Sequence, residues 1–215
     1  MREKYINPFT DFGFKRLFGT EPNKDLLIDF LNTLLPREHQ IKSLEYIRNE
    51  RTTDLEKGKD IIFALYCKSE DDCSFIVQVQ KVLQENFKDR IIYYSSFAFN
   101  EQGKREGWKR EPVYIVSILD FLIENDEQEN KVLNKVKFAN VSDLRVVNDT
   151  PTYIYLIMPL FKKKEEELES HFDKWLFVLN NLSELTDRPA KLQEQIFLRL
   201  FEAAKLTPEA LKECL

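Results

Sequence analysis

The sharpest chemical anomaly in this 215-residue chain is a pair of amides inside an apolar run. Phe75-Ile76-Val77-Gln78-Val79-Gln80 reads as a strand. Strand side chains alternate faces, so Ile76, Gln78 and Gln80 share one face while Val77 and Val79 share the other. Amides buried in a sheet need hydrogen-bond partners or a cleft to face. Upstream, Ile61 to Cys67 is a second apolar run rich in strand formers. The polar stretch Lys68 to Ser74 between them suits a hairpin turn. That pairing puts Ala64 near Gln78. The two glutamines then either cover the sheet or line a site.

Other side chains could contribute to such a site. Asp11 and Lys15 fall on a first helix and could approach the cleft; equally, Asp11 is a helix-start charge and Lys15 a surface residue, with Phe12 and Phe14 packing inside. Asp89, Arg90 and Tyr94 follow the hairpin. On a helix Arg90 and Tyr94 lie four apart and share a face, where Arg90 suits a phosphate or a structural ion pair. Lys104, Arg105, Trp108, Lys109 and Arg110 form a basic stretch with an aromatic, a combination that grips phosphate and stacks on a base or sugar. Glu101, Glu106 and Glu111 dilute it and favour an exposed loop. Lys162 to Lys164 precede Glu165 to Glu167 and read as a solvated helix start. His39 and His171 have no acid–base partner in view.

Composition removes several classes of chemistry. Two histidines nearly exclude a histidine-rich metal centre, and five glycines argue against glycine-rich phosphate loops. Three cysteines (Cys67, Cys73, Cys214) without a CxxC pair argue against a zinc ribbon or disulfide scaffold. Reduced thiols in a cytoplasmic protein are the expectation. The net charge of −5 gives no global attraction to nucleic acid, so a binder would need local basic patches. The opening Met1-Arg2-Glu3-Lys4 lacks a signal peptide's apolar core. No run approaches the roughly 18 apolar residues of a membrane helix, and no membrane partner is expected.

The elements that must position these residues can be read from periodicity. Leu26, Leu27, Phe30, Leu31, Leu34 and Leu35 repeat at helical spacing between Pro22 and Pro36. Ile41 to Ile47 reads as a short strand. Phe87 to Phe99 suits a helix, Pro112 to Leu119 a buried strand, and Lys135 to Val141 and Tyr153 to Met158 two more strands. Glu165 to Leu182, Gln193 to Ala204 and Pro208 to Leu215 read as helices, the last opened by Thr207-Pro208. The expectation is a mixed α/β domain over 1–162 and a helical C-terminal extension over 163–215.

Several segments, in order, carry a family resemblance: "KYINPFTDFGFKRLFG" (Lys4 to Gly19), "NKDLLIDFLNTLLP" (Asn23 to Pro36), the hairpin "DIIFALYC…FIVQVQK", "FKDRIIYYSS" (Phe87 to Ser96), "PVYIVSILDF" (Pro112 to Phe121) and "DKWLFVLNNL" (Asp173 to Leu182). Through them the chain resembles the PD-(D/E)XK nuclease family transposases, also described as recombination-promoting nucleases. The resemblance implies a restriction-endonuclease-like core, a mixed β-sheet flanked by helices. It also implies Mg²⁺-dependent cleavage of DNA phosphodiesters; recombination, transposon mobility and defence against phage are all compatible with it. Mg²⁺ is hard and takes oxygen ligands, so the chemistry needs carboxylates on adjacent strands.

The chain departs from that pattern at both acids. The family's aspartate falls at Ala64 and its glutamate at Gln78, while Gln80 matches the third position. An amide oxygen is a poor replacement for a carboxylate and a methyl is none. Asp60 shares Ala64's face but sits about 13 Å back along the strand. Glu70, Asp71 and Asp72 fall in the turn. The expectation is therefore no bound Mg²⁺ and no useful cleavage, in either a deliberately inactivated enzyme or a natural pseudonuclease; the otherwise intact hairpin favours the first. The other reading is a non-catalytic interaction protein, using Phe172, Trp175 and Leu176 to meet a partner or second copy. Homodimerisation is expected only by analogy with nucleases that cut both strands.

Overall fold

The computed structural model describes residues 4–47, 64–83, 85–103, 111–123 and 131–207. In chain order the elements are α1 (Asp11–Phe18), α2 (Lys24–Asn32), β1 (Leu44–Tyr46), β2 (Ala64–Ser69), β3 (Ser74–Gln80), α3 (Phe87–Gly103), β4 (Val113–Leu119), β5 (Leu133–Ala139), β6 (Val146–Ile157), α4 (His171–Asn181) and α5 (Gln195–Ala204). They fall into two units. One is Ser43–Leu160; the other joins the chain up to Lys42 with the chain from Phe161.

The first of these units is a six-stranded sheet in the order β1-β2-β3-β4-β6-β5. Strands β1, β2 and β3 pair antiparallel, β3, β4 and β6 run parallel, and β5 pairs antiparallel with β6 at the edge. The β2–β3 turn closes through Ser69 N–H donating to Cys73 C=O at 3.0 Å. It places Asp72 at φ 61°, a left-handed conformation for which aspartate is enriched. Parallel strands need a crossover, and α3 supplies it between β3 and β4. Every residue of β3 and β4 is buried, which explains their near-continuous apolar runs. On one face Tyr66, Ile76, Ile115, Tyr153 and Tyr155 pack against Phe87, Ile91, Tyr94 and Ala98 of α3.

The second unit is built on aromatic packing. The Trp175 ring lies 5.4 Å from both Phe30 and Phe197 and 6.0 Å from Phe18. Asp29 of α2 accepts from Trp175 Nε1 at 2.6 Å and meets His171 Nε2 at 2.5 Å. Arg199 of α5 bonds Pro22 C=O at 2.7 Å and pairs with Asp25. Ile6 N–H donates to Ala204 C=O at 2.9 Å, tying the chain's start to the end of α5. Gly13 is required by close approach: a Cβ there would sit 1.9 Å from the Asn7 carbonyl oxygen.

Several expectations shift. The first two helices group with the C-terminal helices in one compact unit, and Ser43–Leu160 forms the other. The helix expected from Glu165 begins only at His171. Ser170 and Asp173 form a capping box there, while Leu168 is extended and Glu165–Glu167 is a separate 3₁₀ turn. Strand β6 starts at Val146, seven residues before the expected Tyr153. The helix expected from Pro208 lies outside the described residues.

Candidate functional site

The sheet register brings the two amide positions and Ala64 into one neighbourhood. Ala64 is the Cα partner of Gln78 on β3, and Gln78 is the partner of Ser117 on β4. Ser117 in turn pairs with Tyr155, and Tyr155 with Asn134 on β5. A row of polar positions thus crosses the sheet from Gln78 to Asn134. By strand alternation it lies on the face covered by α3, since Ile76, Ile115 and Tyr153 occupy the row beneath.

The amides are satisfied differently. Gln78 is 3% exposed, and its Nε2 donates to Ser117 Oγ at 2.8 Å. Gln80 is also buried and donates from Nε2 to Val82 C=O at 3.0 Å. Gln80 ends β3, so it stands at the carboxyl end of a parallel strand, where open α/β sheets place their ligands. Asp120 N–H donates to Gln80 C=O at 2.9 Å just past the end of β4. Burial pushes the Asp120 carboxyl up from the usual range, with Lys81 partly opposing. Phe87, at the start of α3, packs on Tyr155 at 6.0 Å and on Phe121 at 5.6 Å, so an apolar wall adjoins the polar row.

Arg90 and Tyr94 lie on α3, one turn apart, as their spacing indicates. Tyr94 is buried, and desolvation raises its hydroxyl's pKa while the Arg90 charge opposes it. Arg90 Nε is buried with no hydrogen-bond partner among the described residues. Asp11 and Lys15 belong to the helical unit, where they form an i,i+4 pair at 3.0 Å. Glu70 in the β2–β3 turn is occupied by Ser43, whose N–H it accepts at 2.9 Å. Asp60 and the basic stretch Lys104, Arg105, Trp108, Lys109 and Arg110 lie outside the described residues.

A family comparison now has a geometry to meet. The PD-(D/E)XK nuclease family transposase model matches residues 8–214. The chain belongs to that family. Neither the curated proteins nor the solved structures compared give a match. The family's mixed α/β architecture is the one observed: a mixed sheet carrying a β3–α3–β4 crossover. PD-(D/E)XK nucleases generally use Mg²⁺, and neither residue of the Ala64–Gln78 register pair offers that ion a carboxylate. Alanine offers no donor at position 64, and the Gln78 amide nitrogen is turned into a bond with Ser117. Among the described residues no group of three or more His, Cys, Asp or Glu could hold a metal.

Two residues of this neighbourhood went unassigned in the sequence reading. Ser117 interrupts the apolar run Val113–Leu119 and carries the same signal as Gln78, a polar residue at an inward strand position. Asp120 closes that run, and an acid following seven buried residues was a visible mark of a strand end. On α4, Trp175 and Leu176 are buried within its own unit, while Phe172 is half-buried.

Proposed function

We propose that this member of the nuclease family is a DNA-binding protein whose metal-dependent cleavage centre is disabled at positions 64 and 78. The observation that carries the reading is the Ala64–Gln78 register pair. The family resemblance assigns carboxylates to these two positions, and the fold makes them direct cross-strand neighbours. Gln78 holds Ser117 in a neutral hydrogen bond, Gln80 keeps the third position, and no hydrolytic step runs through either. Arg90, whose buried Nε has no hydrogen-bond partner among the described residues, is the candidate phosphate contact. The Lys104–Arg110 stretch is proposed as a second contact. Any DNA affinity is electrostatic and salt-dependent, because a chain of net charge −5 must concentrate its cations locally.

Plasmid nicking in Mg²⁺ tests this. The double substitution Ala64→Asp with Gln78→Glu should cleave supercoiled DNA, while the unsubstituted chain binds the same plasmid without cutting. Cleavage by the unsubstituted chain would overturn the proposal. So would failure of either protein to retard DNA at low salt.

A further inference from the structure

Helix α3 carries a row of side chains that its packing on the sheet does not use. Its inner side meets the sheet through Phe87, Ile91, Tyr94 and Ala98. Ser95 is turned towards β6, its Oγ 3.2 Å from the Tyr153 hydroxyl. Arg90 and Phe97, two helical turns apart, lie on the flank opposite Ser95. Tyr93 falls three residues after Arg90 and four before Phe97, so the three side chains are neighbours along that flank. Tyr93 is 61% exposed. Its ring meets Phe97 edge-on, with centroids 5.2 Å apart and planes at 81°, and leans on Tyr94 at 6.0 Å. Two aromatic neighbours thus hold a ring that stands largely in solvent. At the other end of the row Arg90 is half-buried, and its Nε has no hydrogen-bond partner among the described residues. A buried donor left unmet is unfavourable. An anion held side-on, through Nε and one terminal nitrogen of the guanidinium fork, removes that deficit.

We propose that Arg90, Tyr93 and Phe97 form a subsite for one unpaired nucleotide of DNA, its phosphate on Arg90 and its base stacked on Tyr93, with Phe97 holding that ring. Two demands select this occupant. Arg90 takes an anion with two acceptor oxygens, and Tyr93 offers a flat π face one turn along the helix, about 5–6 Å between Cβ atoms. A nucleotide carries both groups on one residue. Bases in a duplex stack on one another and show only their edges in the grooves, so they leave Tyr93 no face to cover. Single strands, by contrast, are held by aromatic side chains under the bases and cations along the backbone. Net charge plays little part, since within α3 Lys88 and Arg90 stand against Asp89 and Glu101. The subsite therefore contributes one phosphate contact rather than a charged patch, and its share of the salt dependence is small. The inference rests on the DNA reading above and adds the form of DNA, a strand with an unpaired base.

The test is fluorescence anisotropy of a labelled 20-nucleotide single strand and of the matching duplex against the full chain over a salt series. The parent should bind the single strand more tightly than the duplex at equal salt. Tyr93→Ala should weaken single-strand binding at least about fivefold at an unchanged log–log salt slope and leave duplex binding unaltered. Tyr93→Phe keeps the ring and should bind like the parent. Arg90→Gln should lower the single-strand slope by about 0.7, the share of one phosphate, and Arg90→Lys should keep it. Phe138→Ala removes an aromatic side chain of β5 that is 50% exposed; as the control it should bind like the parent. Tyr93 is exposed, so its variants should melt close to the parent, and they decide the outcome even where Arg90→Gln fails to fold. Single-strand binding by Tyr93→Ala at parental strength overturns the subsite and leaves the DNA reading standing. So does tighter binding of the duplex, or equal weakening of both forms by Tyr93→Ala. If the parent binds neither form at any salt, the DNA reading fails and the subsite with it. A concentration-dependent dimer in sizing that Tyr93→Ala disperses also overturns the subsite and makes this row a contact between copies.

Discussion

Restoring the acids should leave a thermodynamic signature that needs no catalysis. Gln78 is 3% exposed, so Gln78→Glu buries a carboxyl. Ser117 Oγ can rotate to donate to it, which recovers one hydrogen bond. The remaining desolvation raises the folded pKa by about 2 units, about 2.7 kcal/mol at 1.36 kcal/mol per unit. The sign follows from linkage: with a folded pKa above the unfolded value of about 4.3, the variant matches the parent below that pH. Its deficit grows as pH rises towards the folded pKa and is then constant. Ala64→Asp places a second carboxylate at the cross-strand position, with Cβ atoms about 5 Å apart. At an effective dielectric of about 20, two such charges repel by about 3 kcal/mol.

Urea unfolding of the parent, both single variants and the double variant closes a cycle at pH 7. The double variant should lie about 1 kcal/mol below the sum of the singles without metal, because at pH 7 the introduced carboxyl at position 78 takes up a proton rather than face the full repulsion. With free Mg²⁺ at about 100 times its dissociation constant it should regain about 2.7 kcal/mol. Neither the parent nor Gln78→Glu should respond comparably. A coupling near zero, or equal Mg²⁺ stabilisation of all four proteins, refutes the claim that positions 64 and 78 form one metal-competent pair.

Two pH effects check the electrostatics in each unit. Burial raises the Asp120 carboxyl, so this group destabilises the fold once pH passes the unfolded carboxylate value; Asp120→Asn should therefore melt higher than the parent at pH 7, with the difference closing near pH 4. The hydrogen bond that His171 donates to the Asp29 carboxylate raises His171, so that contribution is complete below about pH 6.5 and fades as pH climbs through the folded value. Thermal melts read by Trp175 fluorescence should show Asp29→Asn losing most relative to the parent between pH 5 and 6.5, and less above pH 8. A pH-independent gap would reject the His171 assignment.

The register was legible because so little else fits. Sliding β3 by one residue would send Ile76 and both glutamines to the other face and bring Val77 and Val79 to α3. The hairpin's short polar turn then fixes which residue of β2 meets Gln78. The division of the chain was not legible, since it depends on contacts between distant segments. The Trp175, Phe18, Phe30 and Phe197 cluster joins residues up to 179 positions apart in sequence, and each helix alone reads only as amphipathic. The start of α4 was misread for a local reason: acidic residues suit a helical first turn, yet Ser170 and Asp173 cap the helix five residues later than Glu165. The early start of β6 escaped notice because its pairing with β5 is irregular there. Bulges around Phe138 break the pattern, so Val146 and Val147 read as loop rather than strand.

The two substituted positions and the intact surroundings bear on each other. A pair of carboxylates in this row would be desolvated and mutually repulsive, and only a cation would offset that. With Ala64 and Gln78 in their places the row is neutral, and Gln78 reaches Ser117 without any ion. The sheet therefore needs no metal to keep the register in which Tyr66, Ile76, Ile115 and Tyr153 pack under α3. On the proposed reading, loss of the acids removes a destabilising requirement while sparing every apolar contact in that layer, so the fold can persist without carboxylates at positions 64 and 78. On this reasoning the parent is more stable than its acid-restored form in metal-free buffer.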